Sequence, residues 1–93
     1  MHLAILSIKF YLPGCSSLKE KRRRLVGLRD KFGKITNIAV SEAGFHDNHS
    51  QSLWQFAVLN EDKTLVEQQL MSIEKHASTE LDAVVEQIQR EWI

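Results

Sequence analysis

The 93 residues predict a single α+β domain, residues 1–93, built from an antiparallel sheet and two helices. Three observations predict it. The first dozen residues alternate with period two. Two segments, beginning near Ser17 and near Asn60, join helix-start chemistry to a helical apolar stripe. Short strand-like runs lie between them, so the first five elements read β-α-β-β-α.

The first strand is His2–Leu12. Ala4, Leu6, Ile8, Phe10 and Leu12 share one face, and Leu3, Ile5, Ser7, Lys9 and Tyr11 the other. Pro13-Gly14 stops it. Ser17-Leu18-Lys19-Glu20 has the form of a capping box, with the Ser17 hydroxyl accepting from the Glu20 amide and the Glu20 carboxylate reaching back to the Ser17 amide. The helix is expected to run to about Phe32, with Gly33 as its stop. At about 100° per residue, Leu18, Leu25, Leu28 and Phe32 fall in one arc. Lys19, Arg23, Arg24 and Lys31 point away from it, and Arg22 and Arg29 flank it. Lys21 projects into the arc, where its stem can lie on the core while the ammonium reaches an edge.

A second strand is expected at Ile38–Ala43, ending at Gly44, then a polar turn-like stretch and a third strand at Leu53–Leu59. Asn60-Glu61-Asp62 is a helix-start cluster, and Thr64 with Glu67 forms a second candidate capping box. Leu65, Val66, Leu70, Ile73 and Ala77 make the stripe of a helix reaching about His76. In the last segment, Leu81, Val84, Val85, Ile88 and Trp92 fit a helix template better than strand alternation. If this segment is instead a strand, the order becomes the split βαβ, or ferredoxin-like, arrangement. The final strand then pairs beside the first, and both helices lie on one sheet face.

Twelve Lys and Arg balance twelve Asp and Glu, but the balance hides a split. Residues 1–41 carry nine basic residues against Glu20 and Asp30, a net of +7, and residues 42–93 carry the opposite net of −7. A pI near 6.9 disfavours a uniformly basic nucleic-acid binder. The lone cysteine, Cys15, excludes an internal disulfide and fits a reducing compartment. The apolar run Leu3–Ile8 is far below the roughly 20 residues of a membrane span, and nothing near the start resembles a signal peptide. The expectation is a cytoplasmic protein with no membrane association.

The run Pro13-Gly14-Cys15-Ser16-Ser17-Leu18-Lys19-Glu20-Lys21-Arg22-Arg23 resembles the YlxP-like family of small bacterial proteins, domain-of-unknown-function family 503. That family is similar again at Asn37–Gly44, where Ser41 and Glu42 fit best. Further matches fall at Asp47, at Asn60 and Asp62 with Val66-Glu67, and at the closing Glu91-Trp92-Ile93. Where the family commonly continues from its Asp into Leu-Trp-Gln, this chain has Asn48-His49-Ser50. The resemblance implies a ferredoxin-like βαββαβ fold, and so a final strand. It implies no established activity. The family's frequent encoding near translation and ribosome-maturation genes hints at RNA or ribosome association.

The basic helix carries the main functional signal. Lys19, Lys21, Arg22, Arg23, Arg24, Arg29, Lys31 and Lys34 fall within sixteen residues. Of these, Lys19, Arg22, Arg23, Arg24, Arg29 and Lys31 are the candidate nucleic-acid contacts, because guanidinium forks and ammonium groups track phosphates. A solvated helix face, neutralised by the acidic half, is the bland alternative. Glu42, a lone acid in a small apolar strand, is a candidate partner of Lys21 or Arg22. On the uncovered sheet face, Leu3, Ile5, Lys9 and Tyr11 form a candidate interface for a second copy or a protein partner. The third strand does not carry the RRM signature.

His46, Asp47 and His49 read as turn chemistry and not a metal site. Cys15 precedes a helix N-terminus that could lower its thiol pKa, but it has no base or nucleophile motif beside it. No phosphate-binding glycine loop is present. The expectation is therefore a non-catalytic binding protein without cofactor or metal. Its leading partner is structured RNA or a ribosomal assembly intermediate, and a homodimeric adaptor is the alternative.

Overall fold

The computed structural model describes residues Met1–Ile93. Its elements are β1 (His2–Tyr11), α1 (Leu18–Phe32), β2 (Ile38–Gly44), β3 (Gln51–Asn60), α2 (Lys63–Thr79) and β4 (Val84–Trp92). All strand pairs are antiparallel, and the sheet order is β2-β3-β1-β4. This is the ferredoxin-like α+β arrangement, with both helices on one face.

The alternation of β1 does what period two requires. Ala4, Leu6, Ile8 and Phe10 are fully buried beneath the helices, with Leu12 just beyond the strand. Opposite them on β3 stand Val58, Phe56, Trp54 and Ser52, in the register Ala4↔Val58 to Phe10↔Ser52. From above, α1 contributes Leu25, Leu28 and Phe32, and α2 contributes Val66, Leu70, Ile73 and Ala77. Phe32 meets Phe56 edge-on at 6.2 Å between ring centroids, tying α1 to the sheet. Leu65, expected in the α2 stripe, stands 45% exposed. It opens the first turn on the solvent side, while its neighbour Val66 takes the core position.

The caps differ in detail from the expectation. Ser17 caps α1, its hydroxyl accepting from Glu20 N–H at 3.1 Å. The Glu20 carboxylate reaches Ser16 N–H at 3.2 Å and not the Ser17 amide. On α2 the cap is Asp62, accepting from Thr64 N–H at 2.9 Å, so Thr64 lies inside the helix and does not head a capping box.

β4 is a strand, and it shows why its sequence looks helical. Its ladder with β1 slips between Lys9 and Phe10: Ile8 pairs with Ile88, but Phe10 pairs with Val85. The bulge inserts one residue, so the core-side positions become Val85, Ile88, Arg90 and Trp92. Spacings of three and four among Val85, Ile88 and Trp92 imitate a helix period. A second slip lies in β2, where Glu42 pairs with Trp54 and Gly44 with Leu53. The chain then turns through Phe45, whose φ of 61° is left-handed.

Candidate functional site

The α1 N-terminal half faces the end of β2 and the loop that follows it. Lys21 is 3% exposed, and its Nζ has three acceptors: Phe45 O at 2.7 Å, Asn48 O at 2.8 Å and Glu42 Oε2 at 2.9 Å. An ammonium carries three N–H donors, so every one is matched. Ser52 Oγ donates to the same Glu42 oxygen at 2.5 Å. Within the loop, Asn48 Oδ1 accepts from Ser50 N at 2.8 Å, Ser50 Oγ at 2.9 Å and Gln51 N at 3.2 Å. Of the two partners the sequence suggested for Glu42, the structure selects Lys21. This bracket pins the β2–β3 loop, including left-handed Phe45, against α1.

Outside the bracket, the basic residues divide into committed and free. Arg24 is committed: it donates to Pro13 O at 2.8 Å and Glu20 Oε2 at 3.0 Å, and its Nε lies 3.5 Å from Asp82 Oδ2. Its side chain is half-buried and does not point away from the protein as its projection angle suggests. Arg23 makes one long contact with Glu20, at 3.8 Å. The Glu20 carboxyl is held below the ordinary carboxylate range by the Cys15 thiol first, then by Ser16 N–H, Arg24 and Arg23, against some desolvation. Changing Arg24 to Gln is therefore expected to lower stability by about 1–2 kcal/mol, read as a urea midpoint shift, because a shielded guanidinium loses partners on three segments.

Lys19, Arg22, Arg29 and Lys31 form no ion pair. Arg22 donates Nε to Leu18 O at 3.3 Å, Arg29 lies over the Trp54 ring at 5.3 Å, and Lys31 over the Phe32 ring at 5.6 Å. The acidic half pairs Glu74 with Arg90 at 2.7 Å, Glu86 with Lys9 at 4.0 Å, Glu42 with Lys21 and Asp82 with Arg24. It leaves Lys19, Arg22, Arg29 and Lys31 of α1 unpaired.

A groove runs between α1 and the β2–β3 end of the sheet. Its wider part, about 280 Å³, is lined by Leu18, Lys21, Arg22, Glu42, His46 and Asp47 over Leu25 and Trp54. Its continuation along the helix, about 220 Å³, adds Val26 and Arg29. Sequence reading did not bring Trp54 and Arg29 together. A Leu-Trp-Gln tripeptide does not follow Asp47 directly but stands at Leu53-Trp54-Gln55 on β3. His46 places Nε2 3.1 Å from Glu42 O at the groove's end.

The open sheet face keeps Leu3, Ile5 and Lys9 half-buried and Tyr11 42% exposed. Lys9 leans over the Phe45 ring at 5.2 Å as well as toward Glu86. No helix is long and apolar enough to cross a membrane.

Taken together, these features define a ferredoxin-like α+β domain with a bracketed loop and an unneutralised cationic helix face. The chain belongs to the family described as "Protein of unknown function (DUF503)", whose model matches residues 3–90. No curated protein matches the chain. Among solved structures, it is similar to a crystal structure described as that of a candidate chlorite dismutase, with a TM-score of 0.50 and 12% identity. That match covers 99% of this chain and 44% of the other, so this chain spans less than half the length of that protein. The likeness concerns the fold alone.

Proposed function

We propose that this is a non-catalytic, cytoplasmic binding protein that holds structured RNA, free or in a ribosomal assembly intermediate, through the outer face of α1. One observation carries the reading: Lys19, Arg22, Arg29 and Lys31 are exposed and lack carboxylate partners, although the chain holds as many acids as bases. Unpaired cations along one rigid helix are suited to successive phosphates, and their binding releases condensed counterions.

The test is the affinity for a structured RNA across a salt series. Affinity should fall steeply with salt. Changing Lys19, Arg23 and Lys31 to Gln should flatten the log–log slope by up to about 3, roughly one per lost phosphate contact. Absence of binding at low salt, together with a concentration-dependent dimer by light scattering, would instead favour the open sheet face around Ile5 and Tyr11 as a homodimer contact.

A further inference from the structure

We infer that the groove between α1 and the β2–β3 end is a nucleotide pocket. It takes one phosphorylated ring bearing an exocyclic amine, with the phosphate toward Arg29 and the amine toward Asp47. This rests on the RNA reading in placing phosphates at α1, but it adds a site with a defined ligand and polarity.

Four features carry it. The groove combines an apolar floor, Leu25 and Trp54, with charged walls, as small-molecule sites do. Trp54 is 5% exposed, and its Nε1–H has no hydrogen-bond partner. A buried donor without an acceptor is uncommon, and ring nitrogens and carbonyls of a base are acceptors. Arg29 already stacks its guanidinium over the indole at 5.3 Å, a cation–π platform that an inserted ring can extend or replace. Finally, the two ends of the groove differ in charge. Arg22 and Glu42 line both parts, but Arg29, which has no carboxylate partner, lines only the narrower part, and Asp47, which makes no ion pair, lines only the wider one. A ligand oriented otherwise would set its phosphate against Asp47.

This polarity selects among bases. Adenine, cytosine and guanine carry an amine that can donate to a carboxylate. Uracil has only carbonyl oxygens and a ring N–H, and its O4 would face Asp47 without a shared proton.

Trp54 reports on its own pocket once Trp92, on the far edge strand, is changed to Phe. In the Trp92→Phe protein, titration with adenosine and cytidine monophosphates is expected to quench Trp54 emission saturably. Uridine monophosphate should bind about tenfold more weakly, the loss expected for a buried polar group left unpaired. Arg22→Gln with Arg29→Gln should abolish the quenching while the thermal midpoint shows the variant folded. Equal response to uridine monophosphate overturns the orientation. No response to any nucleotide at millimolar concentration, in a protein that melts cooperatively, overturns the pocket.

The same sample titrated with a stem–loop RNA and with a fully paired duplex separates the two sources of such a ring. Quenching by the stem–loop and not the duplex places an unstacked RNA residue in the groove. Quenching by free nucleotides without RNA binding keeps the pocket and removes the RNA reading. Salt-dependent RNA binding with Trp54 silent throughout keeps the RNA reading and removes the pocket.

Discussion

Changing Lys21 to Met is expected to lower stability by about 3–5 kcal/mol, the usual consequence of removing one partner from a buried ion pair. The variant loses no apolar packing, since the methionine stem follows the lysine stem across the core edge. It does take a donor from three acceptors. Asn48 O loses its ammonium partner, Phe45 O keeps only the Asn48 N–H at 3.0 Å, and Glu42 keeps only Ser52. Phe45 must also keep its left-handed conformation without the ammonium that holds its carbonyl, at a cost of about 1–2 kcal/mol for a residue with a Cβ. For a domain this size, each kcal/mol moves the thermal midpoint by about 4–8 °C, so a fall of about 15 °C or more should follow. Glu42→Gln alone should cost less, about 1–2 kcal/mol, because the lysine retains two carbonyls and an amide oxygen. In the Lys21→Met background, the same Glu42→Gln change should be neutral or stabilising, since it removes a carboxylate that has lost its countercharge. The double-mutant cycle therefore has a large coupling. Losses that simply add would mean that the two side chains do not act as a unit.

The bracket was legible in the sequence because both of its charges break a pattern. Lys21 interrupts the apolar arc of α1, and Glu42 is the only acid in its strand. Each element with a single strong period was legible as well: β1 by alternation, and α1 by its Ser17–Glu20 cap and the Leu25, Leu28, Phe32 arc. Features that depend on register were not. β4 reads as helix because a bulge opposite Lys9 and Phe10 sets Val85 three residues before Ile88, and because polar Arg90 takes the core-side position between Ile88 and Trp92 and leaves those two four apart. The groove escapes for a related reason. The β2 slip between Glu42 and Gly44 sets Glu42 opposite Trp54, and the path of β3 beneath α1 brings Trp54 to Arg29, twenty-five positions earlier. Arg24 is misread by angular projection alone, because its partners Pro13 and Asp82 lie on connections that a helical wheel does not contain. Charge totals mislead for the same reason. The +7 and −7 halves are equal, but their pairing is decided by which side chains the sheet order makes neighbours.

Stability is expected to fall as the solution is acidified below about pH 6.5, well before the carboxylates titrate, and His76 is the cause. Its ring packs edge-on against Phe32 at 5.4 Å between centroids, close to Gly27 of α1, and neither ring nitrogen has a hydrogen-bond partner. Burial pushes its pKa below the ordinary value of 6.5. Lys31 pushes it further down, and Glu80 opposes. Lys75 also borders the same cleft. With the folded-state pKa depressed, the unfolded chain binds a proton at pH values where the folded one does not. The stabilisation is whole above about pH 6.5 and is lost as pH falls below it, by at most about 1.4 kcal/mol per pH unit for one proton. Urea midpoints at about pH 7.5, 6.5 and 5.5 measure it. His76→Phe, which keeps the aromatic contact and removes the titration, should flatten the dependence over this range. Lys31→Met should narrow the pH window by letting the folded-state pKa rise, and Glu80→Gln should widen it. An unchanged slope in His76→Phe would remove His76 as the cause. Shifts of the same sign in the Lys31 and Glu80 variants would remove the two charges from the account and leave burial alone.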